Sequence, residues 1–388
     1  MTGVNRDVTG TNPLGTEAKA AHQPLTSPII RHASRWLEDL PASPVRWLLI
    51  PFWLPWCVVL AARAAWYALP TTPRKRLRVP VISIGNLTAG GTGKTPMALA
   101  VVAALRTLGR NPTILSRGYR GVDGINDEAR LAGDIPVICN PDRHAGGVAA
   151  IAAGADCVVL DDGFQHRRLH RDLDIVVIDA TRPWGRDDGK PGAILPLGYQ
   201  REGRSALRRA GLLWLTRTDL ISPQRLHALM SELSGLAPIV CERATAVTLC
   251  ELAALGPGKP AVTAVPGSQP IAAWRGRKVI LACGLGHPGG FELLAQTYGL
   301  NVVARHRFPD HYHYHAGDAA MLARAAQQAD AALVITSKDA VKLQAFTALF
   351  PAHTAWVLHV SSPVTDPLAL MTALTPFRQE LRPPRGTH

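Results

Sequence analysis

Cysteine is scarce: six in 388 residues, Cys57, Cys139, Cys157, Cys241, Cys250 and Cys283, with no C-x-x-C pair among them. That spacing excludes a disulfide-stapled scaffold. Several of the six sit inside apolar runs, where they read as small, reduced core residues of a cytoplasmic protein. Charge is thin as well, at 18% of residues, and acids are outnumbered by bases, 29 to 42, for a formal net charge of +13. A basic balance points to an anionic partner: nucleic acid, a membrane surface or a phosphorylated substrate. Nucleic acid ranks last, because the arginines are scattered rather than striped and no RNA- or DNA-reading module is present. The hydrophobic fraction, 47%, and the length suffice for two domains with full cores.

A secretory signal is not expected either. Residues 1–28 are polar, rich in Thr, Gly, Asn and Pro, and are expected to form a disordered tail. Residues 29–78 differ sharply. The run Trp47 to Ala62 carries no charge, but it falls short of the roughly 20 residues of a membrane-spanning helix. Pro51 and Pro55 are expected to interrupt helical hydrogen bonding there. Five of the nine tryptophans lie between Trp36 and Trp66, and Arg31, Arg35, Arg46, Arg63 and Arg74 to Arg78 flank the run. Aromatic residues with basic flanks suit the boundary between lipid and water, so a monotopic membrane-associated helical segment is expected. A full span and a hairpin buried against the domain are the alternatives.

From Val79 onward, short β-branched runs alternate with helix-forming stretches. `VPVISIG` (79–85), `PTILS` (112–116), `IPVIC` (135–139), `CVVLDD` (157–162) and `DIVVIDA` (174–180) are nearly continuous apolar strands, as strands buried on both faces must be. With `TPMALAVVAALRTLG` and `AGGVAAIAAGA` as crossover helices, they predict a parallel α/β sheet. A second set, `KVILACG` (278–284), `GLNVVARHRF` (299–308), `AALVITS` (331–337) and `AWVLHV` (355–360), repeats the style. Residues 255–275, rich in Pro and Gly, read as a linker. The expected division is a phosphate-loop NTPase-like domain over 79–254 and a smaller α/β domain over 276–388.

The chemistry centres on `NLTAGGTGKTP`, Asn86 to Pro96. A strand precedes it and a helix follows, which is the setting a phosphate-binding loop requires. Backbone N–H groups of Ala89, Gly90, Gly91, Thr92 and Gly93 would face phosphate oxygens, helped by the helix N-terminus. Lys94 would reach the β- and γ-phosphates and the Thr95 hydroxyl would bind Mg²⁺. Thr88 stands where the loop's usual leading glycine belongs. The strand `CVVLDD` ends in Asp161 and Asp162, placed to hold Mg²⁺ or its waters, and Gln165 and His166 follow at the same strand edge.

Seven motifs in order, `VPVISIGNLTAGGTGKTP`, `ILSRGYRG`, `LDDGFQHRRLHRDLDIVVID`, `ILPLGYQRE`, `CGLGHPGGF`, `FPDHYHY` and `TSKDAVKL`, carry a resemblance to a known family. Together they closely resemble the tetraacyldisaccharide 4'-kinases, the lipid A 4'-kinases of Gram-negative bacteria, over about residues 45–345. The resemblance implies a kinase at the cytoplasmic face of the inner membrane. It would move the γ-phosphate of ATP to the 4'-hydroxyl of an acylated glucosamine disaccharide 1-phosphate, with Mg²⁺. The family's loop also lacks the leading glycine, so Thr88 to Thr95 looks like its ATP loop. Asp161 and Asp162 resemble its metal carboxylates, with Gln165 and His166 on the same edge. Arg201 and Glu202 match an R-E pair near nucleotide and metal. The family's general base is the aspartate of a G-D-E-P motif, which Asp127 in `INDEARLA` matches without the flanking glycine and proline; Asp134 in `AGDIP` is the second candidate. His311 of `FPDHYHYH` matches the histidine paired with that base, a pair able to orient a hydroxyl and take its proton.

Other patterns compete. His311, His313 and His315 alternate as zinc ligands might, but lack a cysteine or a clear acidic fourth ligand beyond Asp310 or Asp318; His313 and His315 are expected to serve the surface or packing. `GLGHPG` has no acidic residue about twenty positions on and reads as a strand-to-helix turn. `TSKD` (Thr336–Asp339) reads as a structural strand end, with a secondary nucleotide role as the alternative. The rival function is a membrane-associated phosphate-loop NTPase, a switch or chaperone, which would need no distant Asp and His pair.

Overall fold

Strand β1 (Val81–Asn86) is buried at every position, and its side chains explain why: Val81, Ile82 and Ile84 are apolar, and Ser83 and Asn86 are inside with them. In this computed structural model the described residues are 44–89, 94–117, 135–185, 192–242, 246–255, 267–285, 288–309, 312–361 and 367–378. The expected N-terminal tail (1–28) lies outside them. So do Gly90, Gly91, Thr92, Gly93, Asp127, Glu128, Asp134, Asp310 and His311, and the side chain of Thr95.

Around β1 a seven-stranded sheet forms in the order β3-β2-β4-β1-β5-β6-β7. Its other members are β2 (Pro112–Ser116), β3 (Val137–Cys139), β4 (Cys157–Asp161), β5 (Leu173–Asp179), β6 (Leu212–Thr216) and β7 (Ile239–Cys241). All pairings are parallel. Helix α2 (Lys94–Thr107) buries Met97, Ala98, Val101, Val102 and Leu105 on the sheet, the spacing of one helix face. Helices α3 (Arg143–Ala152) and α4 (Pro223–Leu233) complete the crossovers, and Asp142 caps α3 by accepting from the N–H groups of His144 and Ala145.

The second sheet has six strands in the order β11-β10-β12-β13-β8-β9. Strands β10 (Lys278–Cys283), β11 (Asn301–Arg307), β12 (Ala332–Thr336) and β13 (Ala355–Ser361) run parallel, while β8 (Ala246–Glu251) and β9 (Gln269–Pro270) add an antiparallel edge. Helices α5 (Gly289–Thr297), α6 (Ala316–Gln328) and α7 (Ser337–Leu343) accompany it. Three elements cross the boundaries expected from the sequence. Strand β9 falls inside the expected 255–275 linker yet pairs with β8 in the second sheet. Strand β8 belongs to the second sheet although it precedes residue 254, and helix α8 (Pro367–Leu374) places Leu370 and Leu374 in the core of the first sheet. The chain thus leaves the first core and returns to it at its end.

Helix α1 (Ile50–Ala68) corrects one expectation. It is continuous despite Pro51 and Pro55, and none of its residues is buried. Pro51 falls in the first turn, where the N–H has no helical partner anyway, and Pro55 removes a single bond near the start. With the turn before it, the apolar helical stretch Trp47–Ala68 has 22 residues, long enough to cross a membrane by length and composition. The buried-hairpin alternative fails, because Phe52, Val58 and Trp66 are more than half exposed.

Candidate functional site

The pairing of β1 with β4 builds the site. Ile84 lies opposite Asp161, so the C-terminal ends of the two strands open side by side at one sheet edge. The chain leaves β4 through Asp162 in a left-handed conformation, φ 52°, which aspartate tolerates better than most residues. Gly163 and Phe164 then fold back over β1, where the Gly163 N–H donates to the Ile84 carbonyl at 3.0 Å. Close approach demands glycine at Gly85: a Cβ there would stand 2.5 Å from the Phe164 Cβ.

This turn brings four sequence-predicted residues together. Lys94 Nζ lies 3.6 Å from Asp162 Oδ1, and Arg201 Nη1 donates to the same carboxylate at 2.8 Å. Arg201 also reaches Gln165 Oε1 at 3.4 Å. Burial alone would raise the Asp162 carboxyl, but Lys94 and Arg201 outweigh it and hold the group below the usual carboxylate range. Asp161 is buried beside it, its carbonyl facing Arg143 Nη2 at 3.4 Å.

Asn86 was given no role by sequence reasoning, yet it joins the parts. Its Oδ1 accepts from Lys94 Nζ at 3.2 Å, its carbonyl accepts from Gln165 Nε2 at 2.9 Å, and its Nδ2 donates to the Thr88 carbonyl at 2.6 Å. The signal was a polar residue ending a mostly apolar strand, fully buried in the fold. Arg143 was also missed. It is 3% exposed, its Nη1 donates to the Asn140 carbonyl at 2.9 Å, and burial lowers its pKa while Asp161 opposes the shift. Nothing in `NPDRHAGG` marked it as an inward-facing cation.

The entry to the loop is braced from residues 194–201. Ala89 N–H donates to the Tyr199 carbonyl and Arg201 N–H to the Leu87 carbonyl, each at 2.7 Å. Thr88 is buried in this ladder, opposite Gln200, so it serves as a strand-like brace where a leading glycine would have been loose. Glu202 Oε2 pairs with Arg209 Nη2 at 2.9 Å, and that guanidinium lies over the Phe164 ring. His166 sits at the predicted edge, where burial and then Arg143, Arg171 and Arg168 push its pKa down to about 4. It is therefore neutral at physiological pH and can accept or donate one hydrogen bond without carrying charge.

The donor set fits a hard divalent cation. Asp161 and Asp162 present adjacent carboxylates at a strand end beside the phosphate-loop lysine, and Mg²⁺ is usually held by one or two carboxylates plus phosphate oxygens and water. Among the described residues no group of three His, Cys, Asp or Glu side chains could form a metal cage. His313 and His315 are exposed, and His315 instead opens α6, its N–H donating to Asp318 Oδ2 at 2.9 Å.

The family model described as Tetraacyldisaccharide-1-P 4'-kinase matches residues 45–377. The chain belongs to the tetraacyldisaccharide 4'-kinase family. It is 40% identical over 334 residues to the Tetraacyldisaccharide 4'-kinase of Anaeromyxobacter sp. (strain K), covering 79% of this chain and 84% of that protein. To the protein of the same name from Geobacter sulfurreducens it is 36% identical over 343 residues, covering 82% and 89%. The crystal structure of LpxK from Aquifex aeolicus in complex with ATP aligns with a TM-score of 0.61 at 24% identity, over 86% of this chain and 100% of that one. A tetraacyldisaccharide 4'-kinase therefore shares the two-sheet fold described above.

Proposed function

We propose that this chain is an ATP-dependent kinase acting on the 4'-hydroxyl of a tetraacylated glucosamine disaccharide 1-phosphate, a step in lipid A biosynthesis. The observation that carries the reading is the convergence of Lys94, which follows the glycine-rich loop in sequence, and Arg201 on Asp162 in a member of this family. Two cations at one strand edge match the charge that spreads over a transferring phosphoryl group. Lys94 and Arg201 bind and orient the β- and γ-phosphates, and Asn86 holds Lys94 in reach of them. Asp161, Asp162 and Thr95 are the residues that would hold Mg²⁺, which offsets phosphate charge when bound. In the transfer, the acceptor oxygen forms a bond to the γ-phosphorus, the bond from that phosphorus to the β,γ-bridging oxygen breaks, and ADP leaves. Asp127, supported by His311, takes the hydroxyl proton; both lie outside the described residues.

The same proposal seats α1 in the cytoplasmic face of the inner membrane. The exposed Trp47 just before it and Phe52, Trp56, Val58 and Trp66 within it are the apolar surface a lipid would cover, with Arg63 in its C-terminal half and Arg74 beyond its end. The acyl chains of the substrate would then enter from the side on which the helix lies.

A phosphate-transfer assay decides the matter. Purified protein with ATP labelled at the γ-position and a disaccharide 1-phosphate lipid in detergent should yield a labelled bis-phosphorylated lipid. ATP hydrolysis without any labelled lipid would sink the kinase reading in favour of an NTPase.

A further inference from the structure

No residue of helix α1 is fully buried, and only Trp53, Cys57, Leu60 and Tyr67 are half-buried along one face. Directed polar contacts add to that thin apolar seam. Arg63 Nη2 donates to the Gln165 carbonyl at 2.6 Å, Arg167 Nη1 reaches the Ala64 carbonyl at 3.5 Å, and Trp53 Nε1 donates to the Ile194 carbonyl at 3.0 Å. The Arg63 and Arg167 guanidinium groups lie over the Tyr67 ring, at 5.9 and 4.9 Å from its centre. Each backbone segment gripped in this way also builds the phosphate site. Ile194 and Gln200 pair within the segment that braces Thr88, Ala89 and Arg201, and Gln165 sits between Asn86 and Arg201.

A continuous chain of hydrogen bonds thus runs from the exposed helix to the phosphate-loop lysine. Arg63 donates to the Gln165 backbone, the Gln165 side chain donates to the Asn86 carbonyl and accepts from Arg201, and the Asn86 side chain accepts from Lys94. We propose that Arg63 is a positioning residue for phosphoryl transfer, holding Gln165 in place between Asn86 and Arg201 from the lipid-facing helix. The inference rests on the kinase reading of the site. Arg63 suits the task because a guanidinium can donate to a carbonyl and lie on an aromatic ring at once, which an ammonium does less well. The Gln165 carbonyl also accepts from the Arg167 N–H at 3.1 Å, so removing Arg63 loosens the turn without leaving a buried acceptor unpaired. A helix that seats in lipid and grips the site in this way makes ATP use depend on how the helix is docked.

The test compares full-length wild type, Arg63→Ala, Arg63→Lys and Lys94→Ala in phosphate-transfer kinetics, with vesicle sedimentation and thermal unfolding alongside. Arg63→Ala is expected to raise KM for ATP or lower kcat about tenfold, with unchanged KM for the disaccharide lipid, unchanged sedimentation with vesicles and an unchanged melting temperature. Arg63→Lys should recover part of the loss. ATP kinetics equal to wild type in Arg63→Ala would overturn the proposal, as would a loss that appears only together with release from vesicles or a lowered melting temperature. Failure of the underlying kinase reading looks different: wild type itself would give no labelled lipid, or Lys94→Ala would remain fully active.

Discussion

Lys94 Nζ stands 3.6 Å from Asp162 Oδ1, and Arg201 Nη1 donates to both oxygens of the same carboxylate. The cations that would bind triphosphate and the carboxylate that would bind the metal are thus each other's partners. Because Lys94 and Arg201 lower the Asp162 pKa, the carboxylate stays charged to a lower pH than an unpaired one. On the proposed reading, triphosphate oxygens would draw on the same two cations, which would couple nucleotide binding and metal binding through one side chain.

Asp162→Asn should separate the two. The amide no longer competes for Lys94 and Arg201, so ATP binding in the presence of a chelator should hold or tighten. Phosphate transfer with Mg²⁺ should drop at least about 100-fold, the size of a lost electrostatic contact at such a site. Equilibrium titration with a fluorescent ATP analogue and the transfer assay give both numbers. Weakened chelator-state binding together with normal transfer would contradict the coupling.

His166 predicts a pH effect on stability. Its folded pKa is about 4, against about 6.5 for an unfolded histidine. Between those values the unfolded chain binds a proton that the folded chain refuses, so this group lowers stability as pH falls from about 6.5 towards 4. His166→Gln should flatten the fall in melting temperature over that interval, with the difference from wild type vanishing above about pH 7. Parallel curves for the two proteins across the interval would show that the imidazole titrates normally in the fold.

Gly85→Ala tests the turn that aims Asp162 and Gln165. The added methyl would meet the Phe164 Cβ at 2.5 Å and its backbone N at 2.8 Å, so the turn after β4 must shift. Overpacking of this kind costs about 1–3 kcal/mol. Thermal unfolding should report that loss, and transfer activity should fall further than stability alone explains, because Asp162 moves with Phe164. An active, undisturbed variant would mean that the strand edges are less tightly apposed than described.

How far the molecule could be read from its sequence depends on how locally each feature is encoded. Strands β1, β2, β4 and β5 were legible because burial on both faces leaves near-continuous apolar runs, and the phosphate loop because glycine, lysine and threonine sit within a few residues of one another. Strand β6, `LLWLT`, and β8, `AVTLCE`, were overlooked; β8 is also tied into its sheet by pairing with β13, more than a hundred residues away. The return of α8 to the first core is of the same kind, since only its packing against α2 and the sheet identifies its domain. Asn86 and Arg143 are ordinary polar letters until the fold buries them beside a lysine and an aspartate. Helix α1 was misjudged for a local reason: proline was weighed by its presence rather than by its place near the helix start.

Asp339 anchors the second sheet's edge and gives a stability prediction. It is fully buried, accepting from the Gly284 N–H and the Tyr314 hydroxyl at 3.0 Å each, and it interacts with Thr336 Oγ1. Burial raises its pKa, while those hydrogen bonds pull the other way. Asp339→Ala leaves the Gly284 N–H and the Tyr314 hydroxyl without their acceptor, at about 1–3 kcal/mol for each buried group. A clear loss in denaturant midpoint is expected, with Asp339→Asn much milder because its carbonyl oxygen can still accept. Equal effects of the two substitutions would assign the role to charge instead of hydrogen bonding.

The proton acceptor is the last open assignment, and kinetics can make it. A base that only removes the sugar's proton is not required for nucleotide binding, so its loss should spare that binding. Asp127→Asn and His311→Ala are each expected to lower transfer at least about 100-fold while the fluorescent ATP analogue binds as in wild type. The pair should also be non-additive, since a carboxylate and the imidazole that supports it act as one unit. Asp134→Asn serves as the comparison and should remain active. If Asp127→Asn kept wild-type rates while Asp134→Asn lost them, the base would be Asp134, and `AGDIP` rather than `INDEARLA` would be the acidic motif of this chain.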